Sequence, residues 1–254
     1  MMQTSEVSAL IVDVCERIIL PRFQALSEDE VIYKRPGDLV TVADREAEIA
    51  LSRALHSATP AALIVGEETV FTRPDSIRGL AAAEHAWVID PIDGTRNFVA
   101  GSPDFAVMVA EVRRGETTRG WIWQPLHAAF YIAERGAGVE RNGTPLARFT
   151  PAERPWRVAV WPGGLRQHVD GVAMRPTRGS CAIDYPALAR GDLDGLAYRS
   201  LNPWDHLPGT LMATELGGEA LADGLPYSAG RNGRLLTVGA SAAIAAALSR
   251  GLRP

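Results

Sequence analysis

Two short apolar segments of this chain run directly into acidic residues. The segment Ala61–Val65 stops at Gly66-Glu67-Glu68, and Trp87-Val-Ile leads into Asp90, with Asp93 three residues later. Segments this short and apolar, bounded by turn residues, predict buried strands. Because α/β sheets hold ligands beyond the carboxyl ends of their strands, both acidic turns are candidate functional sites.

The remaining pattern predicts mixed helices and strands. Helices are expected over residues 5–26, with Ser5 as N-cap, and from Thr41 through Leu55, and Pro36-Gly37 is expected to break the chain between them. At Thr150–Pro155 the pattern of predicted elements changes from a mixed arrangement to alternating strands and helices. This change divides an N-terminal lobe, 1–150, from a C-terminal lobe, 151–254, and we expect the two to form one integrated domain. In the N-terminal lobe, further strands are predicted as an antiparallel meander at Phe105–Val112, Gly120–Gln124 and Ala128–Glu134. In the C-terminal lobe, strands are predicted at Arg157–Trp161, Gly195–Tyr198 and Leu235–Val238. They alternate with helices predicted at Ser180–Arg190, Pro208–Leu216 and Ala242–Ser249.

Composition excludes several classes of protein. With 254 residues and 46% hydrophobic residues, the chain can bury about 72% of its unfolded surface, which supports a large core. A net charge of −4 disfavours a nucleic-acid-coating surface. Lys34 is the only lysine among 26 basic residues, a bias that we attribute to base composition. Cys15 and Cys181 form no CxxC motif and no cluster with histidine along the chain, so no zinc site is predicted. The sequence shows neither a signal peptide nor 18 consecutive apolar residues, so no membrane partner and a cytoplasmic location are expected.

Each acidic element also has a purely structural interpretation. Asp-Pro and Asp-Gly are common turn formers, and paired glutamates such as Glu67 and Glu68 usually face solvent. Asp205, in Asn-Pro-Trp-Asp-His-Leu-Pro-Gly, suits the first turn of a helix, where it complements the dipole. Thr41-x-x-Asp44 fits a capping box, the strongest structural interpretation of the four.

The order of these elements resembles the inositol monophosphatase family. Gly-Glu-Glu, then Trp-Val-Ile-Asp-Pro-Ile-Asp-Gly-Thr-Arg-Asn-Phe, then Trp-Asp-His-Leu-Pro-Gly, with Thr41-x-x-Asp44 upstream, extend the resemblance from about Asp38 to Gly218. The resemblance implies a magnesium-dependent, lithium-sensitive phosphomonoesterase that acts on a small phosphorylated metabolite. It further implies a layered α/β/α/β/α sandwich, within the α/β (α+β) class, and a homodimer.

The resemblance also implies roles for individual residues. Two or three Mg²⁺ ions would be held by Glu67, Asp90, the carbonyl of Ile92, Asp93 and Asp205. Glu67 would orient the attacking water, which Thr95, bonded to Asp44, would help to polarise, whereas Glu68 would be structural. Five acids brought together would repel one another unless divalent cations neutralised them, and the same cations would offset the charge of a phosphoryl group. Backbone N–H groups of Gly94 and Thr95 would hold phosphate oxygens if they open a helix.

Substrate choice is less constrained by the sequence. In the resemblance, Asp93, Asp205 and the Gly179-Ser180-Cys181 segment contact the alcohol of the substrate, with Cys181 at a position where alanine is usual. Inositol-selective members carry a glutamate seven residues before the aspartate of the Trp-Asp motif, and this chain has Tyr198 there, as a substrate contact or as a buried strand aromatic. Arg175 and Arg178 are candidates for binding a second anionic group. His127, His168 and His206 need no metal role.

Several functions therefore stay open at this stage. We prefer an inositol-1-phosphate-type monoester as substrate, with histidinol phosphate second and fructose 1,6-bisphosphate or adenosine 3′,5′-bisphosphate as further alternatives. From a different class, some bacterial relatives act as extragenic suppressors, that is, as regulatory binding proteins. The presence of every metal ligand and the acidic net charge both favour the enzyme, and no nucleic-acid partner is expected.

Overall fold

A computed structural model of the protein describes residues 2–35 and 38–253, and for Arg35 and Asp38 it describes the backbone alone. The expected break at Pro36-Gly37 lies outside the described residues. The α-helices are α1 (Thr4–Val14), α2 (Val42–Ala58), α3 (Glu67–Thr72), α4 (Thr95–Val99), α5 (Cys181–Ala189), α6 (Pro203–Glu215) and α7 (Ala242–Gly251). The strands are β1 (Val31–Arg35), β2 (Asp38–Thr41), β3 (Leu63–Gly66), β4 (Ala86–Asp93), β5 (Ala106–Arg113), β6 (Glu116–Gln124), β7 (Ala129–Glu134), β8 (Gly138–Arg141), β9 (Thr144–Pro145), β10 (Trp156–Val160), β11 (Val172–Pro176), β12 (Gly195–Tyr198), β13 (Glu219–Ala222), β14 (Leu225–Pro226) and β15 (Leu236–Gly239).

Two sheets organise the molecule, and a two-stranded hairpin of β1 and β2 accompanies them. The seven-stranded sheet follows the order β3-β4-β5-β6-β7-β8-β9, in which β3 and β4 are parallel and the other pairs antiparallel. The six-stranded sheet follows the order β11-β10-β12-β15-β13-β14. The first sheet ends before Thr150 and the second begins after Pro155, whereas the division into lobes 1–150 and 151–254 stays a prediction.

Helices separate and cover the sheets. The apolar faces of α1 and α2 form one core with the seven-stranded sheet, through residues such as Ile11, Leu51 and Trp87. Helices α5 and α6 share a second core with both sheets, where Tyr185 and Met212 pack with Met108 of β5 and Leu196 of β12. Helix α7 packs on the six-stranded sheet through Ile244 and Leu248. The predicted layered α/β/α/β/α architecture is confirmed.

Three expectations about element boundaries are wrong. The N-cap of α1 is Gln3 rather than Ser5, because Glu6 reaches back to the Gln3 N–H at 2.6 Å. The first helix does not continue to residue 26: it ends at Val14, passes through a π-turn at Cys15–Ile19 and a 3₁₀ turn at Leu20–Arg22, and stops there. Pro21 lacks the N–H that a continuing helix needs.

The third boundary concerns α6, which begins at Pro203 rather than Pro208. Proline is well suited to the first helical position, where no N–H bond is required, and the helix accommodates the second proline in its interior. This earlier start puts Asp205 in the first turn. No helix in the described part of the chain is both long enough and apolar enough to cross a bilayer.

Candidate active site

Three aspartates, two from β4 and one from a distant helix, meet at the carboxyl end of β4. One carboxylate oxygen each from Asp90, Asp93 and Asp205 lies within 4.8 Å of the others. Asp90 and Asp93 come from β4, and Asp205 comes from the first turn of α6. Of the predicted ligands, these three are brought together most tightly.

A one-residue irregularity in β4 explains how Asp90 and Asp93 share a site. Side chains three residues apart in a regular strand point to opposite faces of the sheet. Here Asp90 pairs with Met108 and Asp93 with Ala106, so β4 contains one residue more than β5 between the two pairs. Pro91 lies in this bulge, where its missing N–H costs no ladder hydrogen bond. The bulge therefore turns both aspartates toward one side.

Asp93 is held by the start of α5. Its Oδ2 accepts hydrogen bonds from the Ser180 hydroxyl and, at 2.7 Å, from the Ala182 N–H. Burial raises the pKa of Asp93 to about 6, although these bonds oppose the shift. The predicted substrate segment Gly179-Ser180-Cys181 thus lies beside Asp93, with Ser180 directly bonded to it.

Asp90 is fully buried, and burial followed by the charges of Glu67, Asp93 and Asp205 raises its pKa well above the usual range. Burial and the charges of Asp93 and Glu67 likewise raise the pKa of Asp205, to which Asn202 donates at 3.3 Å. The Oδ1 atom of Asp90 is buried with no hydrogen-bond partner among the described residues. An orphaned buried carboxylate oxygen among other carboxylates fits a hard divalent cation, which prefers oxygen ligands.

Asp44 serves two partners with two different oxygens. Its Oδ2 accepts from the Thr41 N–H at 2.8 Å and from the Thr41 hydroxyl, so the capping box exists. Its Oδ1 accepts from the Thr95 hydroxyl at 3.0 Å, which is also 3.0 Å from the Ile92 carbonyl oxygen. Burial raises the pKa of Asp44 to about 6. The structural and functional interpretations of Asp44 are therefore compatible.

Gly94 turns the chain into α4, which begins at Thr95. Its φ of +90° lies in the left-handed region, and a Cβ there would lie 3.0 Å from the Asp104 carbonyl oxygen and from the Ser180 Cβ. A side chain would thus strain the backbone and crowd α5. Gly94 and Thr95 do open a helix, as the proposed phosphate contact requires.

Glu67 and Glu68 form the first turn of α3, and Lys34 of β1 binds both. The Lys34 Nζ is 2.9 Å from Glu67 Oε1 and also bonds Glu68, although the Lys34 side chain is only 2% exposed. Burial alone lowers the pKa of Lys34, but attraction to the two glutamates outweighs it and the pKa is raised. Burial raises the pKa of Glu68 to about 8. The only lysine of the chain therefore belongs to the acidic site, which the sequence analysis missed.

Glu48 is a second residue that the sequence analysis missed. From α2 it accepts the N–H groups of Glu68 at 2.7 Å and Thr69 at 2.8 Å, and so caps α3. A Cβ on Gly66 would lie 2.2 Å from the Glu48 carboxyl carbon, so a side chain there would displace the carboxylate that caps α3. The available signal was an acid four residues after Asp44 on the buried face of α2.

Tyr198 is 8% exposed, and its hydroxyl donates to Asp184 at 3.1 Å. Its ring lies 5.0 Å from that of His206. Both ring nitrogens of His206 are engaged, by the Ser200 carbonyl at 2.7 Å and the Tyr185 hydroxyl at 3.1 Å, and burial lowers its pKa to about 4.

Cys181 converges with Asp205 and His206 in space, although no such cluster was visible along the chain. Burial and nearby acids raise the pKa of its thiol. Because both ring nitrogens of His206 already have hydrogen-bond partners, neither is free to bind zinc in this arrangement. His127 bonds Asp104 at 2.9 Å and His168 is 3.4 Å from Asp170, away from the aspartate cluster.

Two sheets with interleaved helices enclose an acidic, oxygen-rich centre whose three aspartates could hold a metal ion. The chain matches the inositol monophosphatase family over residues 3–247. It is 34% identical over 219 residues to inositol-1-monophosphatase of Rhizobium meliloti (strain 1021), covering 79% of each chain. It is 33% identical over 203 residues to the Nus factor SuhB of Vibrio cholerae serotype O1 (strain ATCC 39315 / El Tor Inaba N16961), covering 74% of this chain and 73% of that one.

The solved structure of inositol monophosphatase-II from Staphylococcus aureus MSSA476 superposes with a TM-score of 0.80 at 24% identity, covering 96% of this chain and 91% of that one, and supports the fold. This chain belongs to the inositol monophosphatase family. The family is one of metal-dependent phosphatases, and the chain is an enzyme of that class.

Proposed function

We propose that this protein hydrolyses a small phosphate monoester with Mg²⁺ as its cofactor. The observation that carries the proposal is the convergence of Asp90, Asp93 and Asp205 around a buried carboxylate oxygen that has no partner among the described residues. Uncompensated negative charge of this kind is costly unless a cation enters.

The proposed ligands are Glu67, Asp90, the Ile92 carbonyl, Asp93 and Asp205, holding two or three ions. Bound Mg²⁺ supplies positive charge on the phosphoryl oxygens and lowers the pKa of water. Hard oxygen ligands favour Mg²⁺ over zinc.

The chain's own residues then position the reactants. Thr95, whose hydroxyl donates to Asp44, is suited to accept a proton from the attacking water and pass its own to Asp44. Glu67 orients the same water, with Lys34 restraining its carboxylate at 2.9 Å. The N–H groups at the start of α4 donate to the phosphate oxygens. Ser180 and Ala182 keep Asp93 directed toward the site.

For the substrate we propose first an inositol-1-phosphate-type monoester. The Tyr198 hydroxyl donates its hydrogen to Asp184, so it is not a free donor to the ring hydroxyls of inositol. Tyr198 packs against Tyr185 and His206 in a cluster of mutually tilted rings, and an aromatic cluster of this kind favours a flatter alcohol, so histidinol phosphate is the second candidate. A panel of phosphate esters ranked by kcat/KM decides between them: tenfold preference for histidinol phosphate would reverse our order.

The test of the reaction is the release of inorganic phosphate with and without Mg²⁺, for the wild type and for Asp93→Asn. We expect release only from the wild type and only with Mg²⁺. Equal rates from both proteins would refute the metal mechanism. In that case the alternative role, regulatory binding without catalysis, would gain support, since some relatives carry the name Nus factor.

Three further properties are part of the proposal. Lithium is expected to inhibit at millimolar concentration, and insensitivity would indicate a differently built second metal site. The protein is expected to be a homodimer, which light scattering would contradict by detecting a monomer. A cytoplasmic location is expected, and fractionation of the source cells tests it.

A further inference from the structure

A cavity of about 630 Å³ lies beside α5 and is lined by basic side chains. They come from the turn after β6, from β8, from β11 and the segment that follows it, and from the end of α5: His127, Arg141, Arg175, Arg178 and Arg190. We call it the arginine cavity. Asp90, Asp93 and Asp205 do not line it, so it is distinct from the aspartate cluster.

The acids in the arginine cavity are already paired. Asp104 is bonded by Arg178 at 3.1 Å and by His127 at 2.9 Å, and Asp192 is bonded by Arg190 at 2.7 Å. Asp184 accepts from the Arg178 N–H and from Tyr198. Each of these carboxylates therefore has its partner within the cavity wall.

Two guanidinium groups of the cavity have no carboxylate within ion-pair distance among the described residues. Arg141 lies over the ring of Tyr131, 5.7 Å from its centroid. The charge of Arg175 acts on Asp194, but Asp194 is already paired with Arg157 at 2.9 Å. Four arginines thus face two paired aspartates and the buried Asp184, which leaves excess positive charge in a protein whose net charge is −4. A guanidinium presents its donors in a planar fork that matches carboxylate and phosphate groups.

The floor of the cavity is preformed and shares α5 with the catalytic side. Ile183 and Asp184 line the cavity, and Ala182, the residue before them, bonds Asp93. Gln124, 3% exposed, also lines the cavity and donates to the Ala182 carbonyl at 2.7 Å. An occupant of the cavity would therefore contact the same turn that holds Asp93.

We propose that the arginine cavity binds a small anion carrying phosphate or carboxylate groups, through Arg175 and Arg141 with Arg178 and Arg190 around them. The anion has two potential sources: a second anionic group of the substrate, an assignment that rests on the proposed function, or a separate anion that acts on the enzyme through α5. Either source presents the same phosphate or carboxylate groups to the arginines. The experiment therefore has one arm that measures binding and one that identifies the source of the anion.

In the binding arm, sulfate is titrated calorimetrically into the protein at constant ionic strength, with a chelator present so that the aspartate cluster repels anions. We expect saturable binding that weakens at least tenfold in Arg141→Gln/Arg175→Gln. Arg166→Gln, an exposed arginine outside the cavity, is the matched control and is expected to bind as the wild type does. Because both substituted arginines are exposed, the variant is expected to fold, and Arg175→Gln alone provides a second test.

Absence of sulfate binding in the wild type, or equal binding by the double variant, would overturn the proposal. So would a double variant that changes the oligomeric state while sulfate binds neither protein, because the arginines would then face a second copy of the chain. These outcomes do not depend on catalysis.

In the source arm, kinetics with Mg²⁺ compare a sugar monophosphate with the corresponding bisphosphate. If the substrate supplies the anion, the double variant raises KM at least tenfold for the bisphosphate alone. If a separate anion binds, sulfate shifts KM or kcat for both esters in the wild type and in Arg166→Gln, but not in the double variant. If sulfate binds but neither kinetic pattern is seen, the cavity has no link to catalysis. If the protein hydrolyses none of the esters, the proposed function is refuted. The anion site of the cavity is then tested by the binding arm alone.

Discussion

Two neighbouring strands carry buried carboxylates whose pKa values are shifted in opposite directions by their neighbours. Glu111 of β5 is 2% exposed and bonds Arg119 at 2.7 Å and Arg113 at 2.8 Å. Burial alone would raise the pKa of Glu111, but the two arginines outweigh it and lower that pKa to about 2. Asp90 of β4 is equally buried, but its charged neighbours are acids, and its pKa is raised.

The difference separates a structural carboxylate from a functional one. The chain neutralises Glu111 with its own cations, so this residue needs nothing from solution. The negative charge around Asp90 is not neutralised in this way, although the sheet could accommodate arginines one strand away. Perturbed carboxylates of the second kind cluster at functional sites, in agreement with the metal site proposed above.

Glu111→Gln is expected to have the largest effect, and the effect is on stability. The substitution leaves Arg119, whose side chain is 12% exposed, without its charged partner, which costs about 3 kcal/mol. Chemical denaturation with and without Mg²⁺ measures the loss, and activity per folded molecule is expected to stay at the wild-type level. A fully stable variant would show that the ion pairs contribute little.

Asp90→Asn is expected to lower the activity and to leave the stability of the metal-free protein intact. Because removing residues that merely support a metal ligand costs 10–100-fold, loss of a ligand should lower kcat/KM by more than about 100-fold. Without Mg²⁺ the variant should be at least as stable as the wild type, since repulsion is relieved. Phosphate release and thermal unfolding test both points, and a less stable metal-free variant would argue against the repulsive cluster.

Mg²⁺ and pH should act on the two regions differently. Between the unfolded pKa of an aspartate and the folded value of about 6 for Asp93 and Asp44, the folded state binds more protons than the unfolded one. The stability of the metal-free protein should therefore fall as pH rises through this range. At pH 7.5, Mg²⁺ at 100 times its Kd should restore about 2.7 kcal/mol.

At pH 5 the same Mg²⁺ addition should give a smaller gain, because protonated carboxyls bind metal weakly. Unfolding curves at both pH values measure the difference. Glu111→Gln should keep the Mg²⁺ increment and Asp90→Asn should lose it. An increment of equal size in both variants would remove the distinction between the two regions. The Glu111 contribution, by contrast, should be lost only as pH falls from its unfolded pKa toward 2.

Thr95→Val should give the smallest effect, about tenfold on kcat, through loss of the hydroxyl bonded to Asp44. Thr69→Val is the matched control, because its hydroxyl bonds the buried Glu48 at 2.6 Å outside the aspartate cluster. Each should cost about 1 kcal/mol of stability, but only Thr95→Val should slow the reaction. Equal kinetics for the two would exclude a chemical role for Thr95.

The layered fold and the convergence of the three aspartates were predicted through the family resemblance that the ordered motifs carry, whereas strands that end in acids indicated by themselves only candidate sites. The sequence did not predict the β1–β2 hairpin, nor that Lys34 reaches across to Glu67 and Glu68, 33 and 34 residues away. The capping of α3 by Glu48 depends on how α2 packs, and the orientation of Asp93 depends on strand register. These are tertiary relations, which residue patterns alone do not encode.

The bulge in β4 makes spacing as demanding as residue identity. If β4 paired with β5 without this extra residue, Asp93, three residues after Asp90, would point to the opposite face of the sheet, although every acidic residue remained in the chain. A substitution that closed the bulge would therefore separate the two aspartates without replacing either of them, and a relative with the same three-residue spacing in a regular strand would need another way to bring them together.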